Sequence, residues 1–243
     1  MSDKAAVLRA LHHGRAADDP LVLPGPWDAA SAQVFADAGF AALAIPSAGV
    51  SASLGYPDGH GTPPAEMFAA IGRIVRAAGD VPVTADVEGG YGLPAKELVE
   101  RLLATGAVGC NLEDSDPVTG KLDDPRRQAD RLAEVRAAAG DALVINARVD
   151  TYLRGDLATA AAVERGRLYA AAGVDSVYPI MAPATQLAAL AEEIGRPLNA
   201  FCKAGGPSPR ELGVMGATRV TFGGGLQQQA LEAVKELARG LQA

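Results

Sequence analysis

The feature that most constrains this chain is an alternation: short apolar, β-prone runs recur along its whole length, separated by amphipathic helical stretches. The runs are Leu21–Pro24, Ala41–Pro46, Pro82–Val87, Val108–Glu113, Ala142–Val149, Ser176–Met181, Pro197–Phe201 and Arg219–Gly223, which makes eight candidate strands. Between them, Pro94–Thr105 predicts a helix with Pro94 at its first position and Leu98, Val99, Leu102 and Leu103 on one face. Leu226–Leu241 places Ala230, Val234, Leu237 and Leu241 at helical intervals. Near-continuous apolar strands alternating with helices specify a parallel sheet covered on both faces. Eight such units of roughly 30 residues each fit a (β/α)8 TIM-type barrel, as a single domain over residues 1–243. An open doubly wound sheet is the competitor, but the turn after the first run, PGPWDAAS, has no GxGxxG fingerprint.

A hydrophobic fraction of 49% excludes disorder. With 22 Lys+Arg against 29 Asp+Glu the net charge is −7, which argues against nucleic acid or an anionic membrane as partner. No apolar run approaches the roughly 18 residues of a spanning helix, and the opening MSDKAAVLRALHHGR is too polar for a signal peptide, so a cytoplasmic protein is expected. Cys110 and Cys202 lack CxxC spacing and imply no disulfide framework; Cys110 reads as a packed apolar residue.

In a barrel of this kind, active sites form where strands run into the following loops. Strand 3 ends Asp86-Val87-Glu88, with two carboxylates on the same side of an extended chain. Strand 4 ends Asn111-Leu112-Glu113-Asp114 and strand 5 ends Asn146-Ala147-Arg148-Val149-Asp150. Buried strands tolerate such groups only when they are paired or hold a cation. Asp86, Glu88 and Glu113 are therefore candidate oxygen donors to a hard ion such as Mg2+, and Arg148 beside them suits a small dianion. Lone acids at strand ends more often cap the next helix, and Asp28 and Asp123 or Asp124 are assigned that role. The segment Ser47–Glu66 is too long for an ordinary loop and points to function, while His60 within it reads as a surface histidine. Gly205-Gly206 and Gly223-Gly224-Gly225 could line a phosphate site or simply serve as turn residues.

Taken in order, PGPWDA at Pro24–Ala29, Ser47-Ala48-Gly49, SLGYPDG from Ser53, ADVEGGYG from Ala85 and NLEDS from Asn111, with Asn146-Ala147-Arg148, resemble the isocitrate lyase/phosphoenolpyruvate mutase superfamily over most of the chain. The resemblance implies a (β/α)8 barrel that binds Mg2+ or Mn2+ and a small 2-oxo carboxylate, with an enolate as intermediate or product. It places the principal metal-binding aspartate on Asp86 and the other acids of the metal and water shell on Asp58, Glu88 and Glu113. It places the substrate-carboxylate pocket on Ser47, Ala48 and Gly49, and the arginine for the oxyanion or distal group on Arg148. Asn199 follows as a further polar contact to substrate. Members commonly exchange a C-terminal helical region between paired subunits, so a homo-oligomer, a dimer of dimers, is expected.

The departures matter as much. Isocitrate and methylisocitrate lyases carry KKCGH or KRCGH on the loop after strand 4, and phosphonate-processing members carry a segment like DKxFPKxN. Here Asp114–Asp123 holds neither. For a metal-dependent lyase, oxaloacetate-type decarboxylation needs the least further equipment, whereas C–C cleavage of the retro-aldol or retro-Claisen type also needs a base near the leaving hydroxyl. Tyr91, Lys121 and Glu113 are candidates for proton transfer, with Arg148, Asp58 and Tyr91 as the catalytic set. Phosphonopyruvate-type P–C chemistry and a metabolite-binding barrel without turnover are the alternatives.

Overall fold

Every apolar run carries a strand in the computed structural model, which describes residues 3–59, 61–116 and 119–242. The strands are β1 Leu21–Val22, β2 Leu43–Ile45, β3 Val83–Asp86, β4 Gly109–Leu112, β5 Val144–Val149, β6 Ser176–Pro179, β7 Asn199–Phe201 and β8 Arg219–Thr221. They are shorter than the runs partly because Pro24, Pro46, Pro82 and Pro197, lacking the N–H a ladder needs, lie beyond their ends. All ladder pairs are parallel, in the orders β2-β3-β4-β5-β6 and β7-β8-β1. A parallel bridge between Val177 and Leu198 joins β6 to the start of β7. The Ala44 N–H donates to the Pro24 carbonyl at 3.0 Å and joins β2 to the end of β1. The strand order thus runs round a full circuit, the (β/α)8 architecture expected from the alternation.

The helices are α1 Lys4–Ala10, α2 Ala29–Asp37, α3 Ser47–Leu54, α4 Pro64–Ala77, α5 Ala95–Ala104, α6 Pro125–Ala139, α7 Thr159–Ala171, α8 Leu187–Ile194, α9 Pro209–Val214 and α10 Gly225–Gly240. Asp28 caps α2 through the Ser31 N–H, and Asp124 caps α6 through the N–H groups of Arg126 and Arg127, as their positions before helical runs predict. Pro94 differs from expectation: it is the cap of α5, in an extended conformation, and Ala95 is the first helical residue. The segment Ser47–Glu66 differs as well. Its first half is α3, which starts directly after Pro46 and stops at Gly55, where φ is 84° and glycine meets least steric resistance. His60 lies outside the described residues.

Alternation along each strand sorts the side chains. Ala85, Cys110 and Ile145 occupy one register row and pack outward into the core that α5 and α6 supply through Leu98, Leu102, Leu132 and Val135. Cys110 is buried there, and burial pushes its thiol up to about 12, so it is a packed residue as expected. A second apolar cluster, Leu8 of α1 with Leu21, Leu23, Ala42 and Val144, closes the barrel at the end where the strands begin. At the other end, α10 departs from the rest: of its described residues only Gln227 is buried, and Leu231, Val234 and Leu237 stay exposed.

Candidate active site

The residues between those outward-facing positions point inward, and many are polar. Parallel register aligns Asp86, Asn111, Asn146 and Ser176 in a single row across β3, β4, β5 and β6. Ser176 Oγ donates to Asn146 Oδ1 at 2.6 Å, Asn146 Nδ2 to Asn111 Oδ1 at 2.5 Å, and Asn111 Nδ2 to Asp86 Oδ2 at 3.4 Å. Buried amides need partners at both ends. This row supplies them in one direction and terminates on a carboxylate.

Arg148, on β5 two residues beyond the row, meets that carboxylate from the side. Its Nε and Nη2 donate to the two oxygens of Asp150 at 2.6 and 3.0 Å, while Nη1 pairs with Glu113 and stands 3.8 Å from Asp86 Oδ2. Burial acts against its charge, but Glu113, Asp150 and Asp86 outweigh it and hold the guanidinium firmly protonated. Asp150 is fixed in turn: its Oδ2 accepts from Ser115 Oγ at 2.6 Å, and its N–H donates to Asp114 Oδ1 at 2.8 Å. Asp114 is tied to α7 by Arg165 at 2.9 Å and Tyr169 at 2.7 Å. Asp150 and Asp114 thus buttress Arg148, a role that spacing alone does not reveal.

Around these groups lies a cavity of about 200 Å3, lined among others by Ser47, Asp58, Asp86, Arg148, Arg219 and Thr221. Ala48 also lines it, whereas Gly49 is turned toward α10, its carbonyl accepting from Gln227 Nε2 at 2.9 Å. Asp58 is exposed at the mouth and accepts from Ser47 Oγ at 3.4 Å. Asn199 is buried beside the cavity rather than on its wall, donating to Thr221 Oγ1 at 2.9 Å. Tyr91 lies outside the lining as well, its ring packed edge-on against Phe68 with the ring centroids 5.9 Å apart. Burial, with the charges of Glu88, Asp86 and Glu113, pushes its phenol well above the usual range. Lys121 is exposed on the loop after β4.

Glu88 is a correction to the strand-end reading. β3 stops at Asp86, and Glu88 is left-handed, with φ 52°, so two-residue alternation does not place the two carboxylates side by side. The Asp86 carboxylate instead turns back to accept the Glu88 N–H at 2.9 Å, and the Glu88 carbonyl accepts from Glu113 N at 2.9 Å. Arg219, on the floor of the cavity, went unnoticed in the sequence. The signal was present, since Arg219 and Thr221 share one face of an otherwise apolar strand.

Among the described residues no group of three or more His, Cys, Asp or Glu side chains is gathered to hold a metal ion by itself. Mg2+ does not need one, because it keeps several waters and is commonly bound by one or two carboxylates. The donor set suits that mode. Burial raises Asp86 against the opposing charge of Arg148, and Asp58 adds to it. Burial raises Glu113 well above its ordinary value, with Asp86, Asp150 and Glu88 adding and Arg148 opposing. More acids converge here than one guanidinium neutralises, and a cation relieves that excess.

A family model described as phosphoenolpyruvate phosphomutase matches residues 8–242. The chain belongs to that family. An uncharacterized protein of Mycobacterium tuberculosis strain H37Rv is 33% identical over 237 residues, 95% of this chain and 87% of the relative. The 2-methylisocitrate lyase of Bacillus subtilis is 30% identical over 203 residues, 79% of this chain and 66% of the relative. Among solved structures, a Burkholderia cenocepacia J2315 protein provisionally named a phosphonomutase superposes with a TM-score of 0.91 at 38% identity, over 98% of this chain and all of its own. Oxaloacetate acetylhydrolase in complex with oxalate gives 0.87 at 26%, covering 99% of this chain and 87% of that one. The proteins to which this chain is similar are thus named as a lyase, a hydrolase and a mutase.

Proposed function

We propose that this protein is a Mg2+- or Mn2+-dependent lyase that acts on a small 2-oxo or 2-hydroxy acid through an enolate, by C–C cleavage or oxaloacetate-type decarboxylation. The observation that carries this reading is the hydrogen-bonded row ending on Asp86 beside Arg148, at the end of the barrel where such folds do chemistry. Asp86 is the direct ligand in this reading, with Asp58, Glu88 and Glu113 acting through water. When bound, the cation supplies Lewis acidity at the 2-oxo group and charge for the developing enolate. The N–H groups at the start of α3, at Ser47 and Ala48, hold the substrate carboxylate, with Gly49 behind them against α10. Arg148, held rigidly by Asp150, offsets negative charge without having to reorganise. Burial and the neighbouring acids disfavour a Tyr91 phenolate, which counts against Tyr91 as the base.

Phosphonopyruvate-type P–C chemistry is the second reading, favoured by the 38% identity to the protein named a phosphonomutase. One screen separates the two. Purified protein with Mg2+ or Mn2+ is offered 2-oxo acids, 2-hydroxy di- and tricarboxylates and phosphonopyruvate, and products are identified. Pyruvate with CO2, or a 2-oxo acid with a second carboxylate fragment, supports the lyase. Phosphate release or P–C rearrangement supports the alternative. Activity must vanish in EDTA and in Asp86→Ala, with the circular dichroism spectrum unchanged; turnover surviving in both would sink the metal reading.

A further inference from the structure

Arg219 begins β8, and alternation turns it and Thr221 toward the barrel interior, where both line the cavity. Its side chain is fully buried, yet neither Nε nor Nη1 has a hydrogen-bond partner. No carboxylate among the described residues forms an ion pair with it, whereas Arg148 is answered by Asp150, Glu113 and Asp86. Thr84 Oγ1 is also buried and without a partner, and Thr84 lines the same cavity one step below Asp86 on β3. Removing a cation from water is tolerated where an opposite charge meets it. The cavity is therefore acid-rich beside Arg148 and carries one unanswered cation lower down.

We propose that Arg219 is a substrate-binding residue that receives a distal anionic group, a carboxylate or a phosphonate, of an acid whose 2-oxo end lies at Asp86. The proposal rests on the 2-oxo acid reading above and narrows it to dianionic substrates. The charge of Arg148 is already met by three protein carboxylates, so the selective contact falls to Arg219. A monoanion such as pyruvate leaves that contact unmade.

The test titrates the Mg2+-loaded protein with pyruvate, 3,3-difluorooxaloacetate and phosphonopyruvate in a calorimeter, for wild type and Arg219→Gln. Wild type is expected to prefer at least one dianion over pyruvate by on the order of tenfold or more, the scale of one charge-assisted contact. Preference for difluorooxaloacetate assigns the floor to a carboxylate, and preference for phosphonopyruvate assigns it to a phosphonate. Arg219→Gln is expected to erase the preference while leaving pyruvate affinity nearly unchanged. Equal weakening of all three ligands, or none, overturns the proposal. If Arg219→Gln fails to fold, Arg219→Lys and the wild-type ratio decide, and a wild-type ratio near one overturns it. Malonate has no 2-oxo group: if it protects wild type but not Arg219→Lys from thermal unfolding while no 2-oxo acid binds, the anion site stands and the 2-oxo acid reading falls.

Discussion

Asp150 shows how much a single side chain can fix. Both its oxygens receive Arg148, and its backbone N–H is held by Asp114. Asp150→Asn preserves shape but removes the charge opposite a buried guanidinium, so unfolding in urea should show a loss of about 3 kcal/mol. An unchanged midpoint would remove the clamp from the account. His12 provides a second residue-scale handle. Its Nδ1 contacts the Leu8 carbonyl at 2.8 Å, and burial, reinforced by the charge of Arg219, lowers it from 6.5 to about 4. The unfolded chain then binds a proton that the native protein refuses, so stability present above pH 6.5 drains away as pH falls toward 4. The window is worth about 3 kcal/mol. Urea midpoints at pH 7 and pH 4 should therefore differ more in wild type than in His12→Gln; parallel shifts in the two proteins would refute this. Asp86 and Arg148 were legible as strand-end charges. Asp150 and Arg219 were not assigned, because spacing gives the face a side chain occupies and not which buried charges meet.

At the scale of elements, close approach explains more than propensity does. A Cβ on Gly109 of β4 would lie 2.8 Å from Thr84 Oγ1 and 3.0 Å from the Val144 carbonyl, contacts that neighbouring strands cannot relieve. Gly109→Ala should destabilise by about 1 to 3 kcal/mol through overpacking, read as a lowered denaturant midpoint with unchanged slope; a neutral result would mean that the barrel yields at this point. The eight strands were legible because apolar runs bounded by proline and glycine survive into the fold nearly intact. Two elements were less so. α3 hid in a segment whose serines, alanines and glycine carry little amphipathic signal. Beyond Asp86, a left-handed Glu88 broke the alternation on which the placement of two adjacent carboxylates depended.

For the whole molecule, α10 sets the expectation. Val234, Leu237 and Leu241 are 55%, 69% and 89% exposed, an apolar stripe that the described residues leave open to solvent. Such faces are ordinarily covered, and we expect a homo-oligomer, a dimer of dimers, in which a second copy covers α10. Light scattering at micromolar concentration should give a multiple of the monomer mass, and Leu237→Glu should lower it; a monomer throughout would contradict the assignment. Whole-molecule architecture also governs traffic. Leu8 of α1 closes the base of the barrel among the described residues, so the cavity at the strand ends is a well whose door is the mouth beside Asp58. Whatever is cut in two inside it must leave in sequence. If the proposed cleavage occurs with the distal group on Arg219, the fragment resting there departs last, because the piece nearer the mouth stands in its way. In steady-state kinetics that order makes the deep fragment a competitive product inhibitor and the shallow one non-competitive, so the queue at the door identifies which end of the substrate entered first.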